Sequence, residues 1–272
     1  MNYMPWRKAI YVTTAIIGGI VLVIQALCLT GFGFHTTLNG SVGVPAKHLS
    51  DSTEAHGDIS ELEIAVKGHA SLEVKFGDTE SAKLEASSSS ARGSLDLDDG
   101  VLTVSALGPK RALISTRGTR YTLTLPERFN DGSLNMEVEQ EVGLFDAAGH
   151  FRSVSIDGSA GKIAVNGSAQ DLEVNAEAAQ ADINLEDVYS AQLSVSVGEL
   201  NATFTGERPK QIFTSVETGS MNLTVPDGDY AVDVKAELGE LKNNLDITAS
   251  STHRIRGSVE MGELTLDSGA NG

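Results

Sequence analysis

Val195-Ser-Val197-Gly198-Glu-Leu200-Asn-Ala202, Val216-Glu-Thr218-Gly219-Ser-Met221-Asn-Leu223, Ala236-Glu-Leu238-Gly239-Glu-Leu241 and Val259-Glu-Met261-Gly262-Glu-Leu264-Thr-Leu266 are four versions of one phrase. Each is a short apolar strand that reaches a glycine and restarts one position out of phase. Weaker versions centre on Gly161 and Ala181, and the steps between centres (161, 181, 198, 219, 239, 262) are 20, 17, 21, 20 and 23 residues. A period near twenty is the mark of stacked supersecondary units. In an unbroken strand Val195 and Val197 would share the inward face with Glu199, leaving Leu200 outside. The phase slip therefore predicts a bend at Gly198-Glu199, where glycine tolerates backbone angles closed to other residues.

The rest of the chain after Ile59 alternates with period two and shows no helical stripe. Leu62-Glu-Ile64-Ala-Val66, Leu72-Glu-Val74-Lys-Phe76, Tyr121-Thr-Leu123-Thr-Leu125 and Tyr230-Ala-Val232-Asp-Val234 read as short strands between turn residues. The class is all-β. One corner per repeat, stacked on the next, predicts a β-solenoid, a single-stranded stack of about 20-residue repeats; a β-sandwich is the alternative. Leu123-Thr-Leu-Pro126 and Leu223-Thr-Val-Pro226 lie 100 residues apart and divide the repeat region into two related halves, 59–140 and 141–268. Proline ends each strand because it has no N–H for a ladder.

The 272 residues carry a net charge of -17, with the acids confined to residues 51–272. Residues 1–50 hold Arg7, Lys8 and Lys47 and no acid, which leaves 17 basic against 37 acidic side chains in the remainder, or -20. So acidic a surface repels nucleic acid and anionic lipid head groups and suits a solvated ectodomain, cationic ligands or divalent metal. Five of the fourteen aromatic residues (Tyr3, Trp6, Tyr11, Phe32, Phe34) fall in or beside the first apolar segment. The core is therefore expected to be built from Val, Leu, Ile and Ala.

Ala9 to Leu29 is an apolar run of 21 residues, enough to cross about 30 Å of hydrocarbon as a helix. Arg7 and Lys8 precede it and no basic residue follows until Lys47, so the positive-inside bias puts the N-terminus in the cytoplasm. The expected organisation is a cytoplasmic tail 1–8, a transmembrane helix 9–34, a linker 35–58, an ectodomain 59–268 and a flexible tail 269–272. The expected localisation is the cell membrane, single-pass, with the C-terminal domain extracytoplasmic. A cleaved signal peptide would have a shorter apolar core and a small-x-small site. Cys28, the only cysteine, excludes an intramolecular disulfide.

Glutamate follows the corner glycine at Glu199, Glu240 and Glu263. In adjacent units Glu240 and Glu263 would stand about 5 Å apart, either as a solvated face or as a pair that recruits calcium or a cationic partner. Asp96-Leu-Asp98-Asp99-Gly100 loosely resembles a calcium loop, but a hairpin turn between Leu95-Asp-Leu97 and Val101-Leu-Thr-Val104 accounts for it without metal. The six histidines (His35, His48, His56, His69, His150, His253) have no metal-ligand spacing, and no Gly-x-Ser-x-Gly elbow occurs. Ser87 to Ser90 reads as a loop. Asn39, Asn166, Asn201 and Asn222 begin Asn-x-Ser/Thr triplets of the kind that glycine-rich turns also generate. No residue is expected to be catalytic, cofactor-binding or metal-binding.

The phrase Leu223-Thr-Val-Pro226-Asp-Gly-Asp-Tyr230-Ala-Val232, followed by Leu238-Gly239-Glu-Leu241, resembles the bacterial putative-adhesin ectodomain family, related to LiaG-like and head-GIN proteins. The resemblance covers residues 59–268 and implies a solenoid-like surface domain with no catalytic residue to carry over. Its relatives include members of envelope-stress systems. The expected function is binding or scaffolding at the cell envelope, with an unidentified envelope component or surface ligand as partner and no enzyme activity. Envelope-stress sensing through a membrane-protein partner is the alternative, and polysaccharide cleavage by a β-helix enzyme is a third.

Overall fold

A computed structural model describes residues 52–87, 91–108 and 118–269, all within one compact unit, Ala46–Gly272. They form seventeen strands in one sheet, and their only helical element is the 3-10 turn Glu127–Phe129. The strands are β1 (Ser52–Ala55), β2 (Glu61–Lys67), β3 (Ala70–Gly77), β4 (Ala82–Ala86), β5 (Arg92–Asp98), β6 (Val101–Leu107), β7 (Thr119–Pro126), β8 (Asn135–Gln140) and β9 (Gly143–Glu186). They continue with β10 (Ser190–Val195), β11 (Glu199–Thr205), β12 (Gln211–Val216), β13 (Ser220–Pro226), β14 (Ala231–Ala236), β15 (Glu240–Asn243), β16 (Arg254–Val259) and β17 (Glu263–Gly269).

Alternation decides which way each strand faces. In β2 the residues Leu62, Ile64 and Val66 are buried while Glu61, Glu63 and Ala65 are not, and most of the other strands repeat the pattern. The 44 residues of β9 would extend about 145 Å if straight. Instead the strand bends, and its segments pair in parallel with β3, β8, β10 and β11. Gly161, at φ 107°, makes one of those bends.

Two stretches of wall result. One runs β6–β2–β8–β9–β10–β12–β16–β14 and the other β7–β3–β9–β11–β13–β17–β15, all parallel. Together they curl into a nearly closed, barrel-like wall around one apolar core. Leu, Val, Ile and Ala dominate that core, as the composition predicts, with Tyr121, Tyr230, Phe145, Phe151 and Phe204 as its largest fully buried members. The hydroxyl of Tyr121 donates to the carbonyls of Arg92 or Leu107, both at 2.8 Å, and that of Tyr230 donates to Pro226 at 2.8 Å. Burial pushes the Tyr230 phenol up to about 12.

This wall corrects the expected β-solenoid. A single-stranded stack would place its repeats in chain order with every pairing parallel, and neither condition holds. At the N-terminal end β5 pairs antiparallel with β6, and β4 pairs antiparallel with both β1 and β7. At the C-terminal end β16 lies between β12 and β14, and β17 between β13 and β15. Burial follows the insertion. Ile255, Val259, Leu264 and Leu266 of the inserted strands are fully buried, whereas Val232, Val234 and Leu241 of the edge strands are only partly covered. The four-residue β15 is an edge while the seven-residue β17 lies inside, but β14 and β16 are equally long and β16 carries two arginines, so apolarity alone does not choose between them. The two-sheet sandwich is not formed either, since all named strands share one sheet.

The single-pass membrane localisation is also corrected. Among the described residues no helix is long and apolar enough to cross a membrane. The segment 9–34 and Cys28 lie outside the described residues, as does most of the linker.

The corner glycines serve a different purpose from the one expected. Gly198, Gly219, Gly239 and Gly262 all keep ordinary negative φ. What matters is proximity: a Cβ at Gly198 would collide with the Ala179 carbonyl, one at Gly219 with that of Gly198, one at Gly262 with that of Gly219, and one at Gly239 with that of Gly262. The residue before each glycine also points outward rather than inward. Val197, expected to face the core beside Val195, is 68% exposed.

Gly219→Ala should therefore lower stability by about 2 kcal/mol or more, because the Gly198 backbone and the core residue Val195 crowd the new methyl, whereas Ser220→Ala should change it by less than about 0.5 kcal/mol. Urea denaturation of the two variants compares them directly; equal midpoints would refute the close-approach account.

Candidate functional site

In-register pairing turns a repeated residue type into a column. Asn222 Nδ2 donates to Asn201 Oδ1 at 2.8 Å, and Asn201 Nδ2 to Asp182 Oδ1 at 3.0 Å. Asn184 donates to Asn166 at 3.1 Å and Asn175 to Asp157 at 3.0 Å. Three of the Asn-x-Ser/Thr triplets thus place their asparagines in ladders between neighbouring strands; Asn39 lies outside the described residues. The Asn201 hydrogen bond, then the Lys162 ammonium at 3.0 Å, holds the Asp182 carboxyl below its usual range.

Of the residues singled out from sequence, Glu240 and Glu263 are direct register partners, as expected. Ser220 pairs with both Glu199 and Glu263 and so separates them. The pair is held by a lysine: Lys242 Nζ lies 2.9 Å from Glu263 and 3.9 Å from Glu240. The hydrogen bond from Lys242 lowers the Glu263 pKa and raises that of Lys242. Asp98 pairs with Val101 across a two-residue turn. Asp99 (φ 47°) and Gly100 (φ 84°) occupy it with the double positive φ of a tight hairpin, which bears out the hairpin reading.

The histidines stay apart. His56 lies 3.8 Å from Glu54, His150 Nδ1 is 2.8 Å from Ser168 Oγ, and His253 Nδ1 is 2.9 Å from the Pro209 carbonyl. His35 and His48 are outside the described residues, as are Ser88 to Ser90. Ser87 pairs its backbone with Arg120. Among the described residues no group of three or more His, Cys, Asp or Glu is placed to hold a metal ion.

A further gathering of acid lies on the outer side of β2, β8 and β9. Glu61 and Glu63 of β2 pair with Asn135 and Glu137 of β8, and Glu137 and Glu139 pair with Ser155 and Asp157 of β9. Glu173 follows on the next segment. A shallow concavity of about 360 Å³ opens among Glu137, Glu139, Glu141, Asp157, Asn175 and Glu177. Lys67 Nζ, 3.2 Å from Glu139 and 3.9 Å from Glu141, balances one side of it. Partial desolvation, then the charges on Glu63, Glu61, Asp157 and Glu139, pushes the Glu137 carboxyl up. Desolvation and Asp157 do the same to Glu173. Carboxylates gathered this way favour whatever brings them positive charge.

Sequence reading missed this cluster. The alternation placed Glu63 outward, but β2 meets β8 across the intervening β3 to β7, and no local period reports that neighbour. The only signal was the excess of acids after residue 51.

No family model and no curated protein matches the chain. Among solved structures it is similar to a putative cell adhesion protein from Clostridium sporogenes, at 12% identity and a TM-score of 0.33, covering 80% of this chain and 99% of that one. It is also similar to a putative adhesin from Bacteroides fragilis, at 10% identity and a TM-score of 0.35, covering 79% and 95%. At those scores neither likeness assigns a function.

The raised carboxyls have a pH signature. Folding lifts the Glu137 pKa, so between the unfolded and folded values the folded chain binds more protons and stability falls as pH rises, the penalty being complete above the folded pKa. Glu137→Gln should raise the melting temperature at pH 7, and the gain should shrink as pH drops through the carboxylate range. A gain of constant size at all pH values would contradict the charge origin.

Proposed function

We propose that this chain is a cell-surface binding or scaffolding protein of the adhesin type that engages a cationic envelope component or surface ligand through its acidic wall. The observation that carries the reading is the register of Glu61, Glu63, Glu137, Glu139 and Asp157 on three adjacent strand segments. It brings carboxylates together at strand spacing, about 4.8 Å, around an open concavity. Such a surface attracts cationic groups over several ångströms and holds them by many weak contacts, which suits a polymer or another surface better than a single small molecule.

The kinship to LiaG-like and head-GIN proteins rests on the phrase from Leu223 to Leu241 and belongs to this proposal. No observation among the described residues favours the regulatory alternative, envelope-stress sensing through a membrane-protein partner, over this reading. Binding, not catalysis, is the activity on this reading. Cell-wall glycans incubated with the protein should therefore yield no new reducing or unsaturated ends, and their appearance would replace this proposal with an enzymatic one.

The direct test is surface plasmon resonance of the full chain on immobilised polylysine and polyglutamate. Binding to polylysine alone is expected, weakening as salt rises. Replacing Glu137, Glu139 and Glu173 together by Gln should weaken it several-fold. An equal loss from Gln at the exposed Glu80, Glu186 and Glu207 would show that net charge, not this wall, does the binding.

A further inference from the structure

The phrase that opens the sequence reading leaves a feature the acidic wall does not use. At each corner the residue before the glycine stands out in solvent: Val197 is 68% exposed, Met261 61% and Leu238 83%. Backbone hydrogen bonds align them. Thr218 N donates to Ser196 O at 2.8 Å, Met261 N to Glu217 O at 2.7 Å and Leu238 N to Glu260 O at 2.8 Å. Val197, Thr218, Met261 and Leu238 therefore occupy one position on four neighbouring turns, in that spatial order. Val197, Thr218 and Met261 cannot fold inward, because Val195, Val216 and Val259 already fill the core beside their corners; Leu238 follows the exposed Ala236 on the edge strand β14.

The ridge is bordered by acid on both sides. Glu217, Glu260 and Glu237 precede the outward residue and share one exposed column. Glu199, Ser220, Glu263 and Glu240 form the column after the glycine, where Lys242 already holds Glu263 and Glu240. An apolar spine between carboxylate rows selects against two common partners. A second copy docking ridge to ridge would set Glu against Glu, and an anionic bilayer would meet the same repulsion. It favours a partner with apolar side chains in a line and cations on either side.

We propose that this corner ridge is a docking surface for a basic amphipathic helix, a site distinct from the acidic wall. Four turns at about 4.8 Å span about 14 Å. A helix returns the same face every 5.4 Å or so, and an extended strand only every 6.7 Å or so, so the helix follows the spine more closely. Its apolar stripe covers Leu238, Met261 and Val197, while flanking Lys or Arg reach Glu217, Glu260 and Glu237.

The test uses the full chain and a fluorescent Leu/Lys amphipathic peptide of about fifteen residues, long enough for four turns, read by anisotropy. A scrambled peptide of the same composition is the control. The wild-type chain should bind the amphipathic peptide at least about tenfold more tightly than the scrambled one. Val197→Ser, Met261→Ser and Leu238→Ser combined should erase that preference. All three side chains are exposed, so the thermal unfolding midpoint should hold. Glu217→Gln, Glu237→Gln and Glu260→Gln combined should weaken binding several-fold and flatten its salt dependence, whereas Gln at Glu137, Glu139 and Glu173 should leave the preference intact. The proposal fails if the serine variant binds like wild type, if scrambling makes no difference, or if the Glu137 set abolishes the preference. It also fails if phosphatidylcholine vesicles capture the wild-type chain and not the serine variant, which would make the ridge a lipid contact.

Discussion

Backbone carbonyls occupy the space where side chains would begin at the corners of this wall. The Ala179 carbonyl fills the Cβ position of Gly198, that of Gly198 fills the Cβ position of Gly219, and that of Gly219 fills the Cβ position of Gly262. Contact so close leaves no room for a register slip, since a one-residue shift would drive a real Cβ into a carbonyl and flip every side chain to the wrong face. The corners thus lock the parallel pairing of β10 with β12, β12 with β16 and β16 with β14. From that lock follows the core, in which Val195, Val216 and Val259 meet in one layer.

Exact register has an electrostatic consequence, because like residues are brought against like. For apolar positions this is the source of stability. For acids it is a cost, and the chain meets it in three ways. A lysine straddles Glu240 and Glu263. Asparagines donate to Asp157 and Asp182 from the next segment. On the outer side of β2, β8 and β9 the repulsion is only partly relieved, by Lys67, and partial desolvation, with that repulsion added, makes Glu137 and Glu173 hold their protons more tightly. That contrast between columns matched by a lysine or asparagine and columns only partly matched, within one repeated architecture, separates the acidic wall from its surroundings.

Much of this was legible before any coordinates. Period-two alternation identified the strands, the hairpin at Asp98 to Val101 followed from turn chemistry, and the glycine period put Glu240 beside Glu263. What stayed hidden depended on comparisons that local pattern cannot make. Whether β14 or β16 lies against β12 is not written in their apolar residues, since Val232 and Ile255 both read simply as apolar, yet only Ile255 is fully buried. The outward turn of Val197 depends on how the chain crosses a corner, and an alternating pattern looks the same whichever way that residue points. Pairing of β2 with β8 spans five intervening strands, so the cluster around Glu137 left no trace in the spacing. The antiparallel cover from β1, β4 and β5 reflects a need to close an end, which a repeat period cannot express.

The separation of core from surface has a further consequence. Inward positions are fixed by neighbours above and below, but outward ones are held only by register, which the corners and core already secure. Exchanging Glu for Gln at an outward position therefore changes the field of the surface without touching what sets the fold. Binding strength on such a wall can be altered column by column at little cost in stability. It also means that the exposed apolar spine at Val197, Met261 and Leu238 owes nothing to folding: serine at those sites would leave the core untouched and would reduce the hazard of an exposed apolar strip. A chain that keeps apolar residues there, between rows of acid, carries a feature that the stability of the wall does not explain.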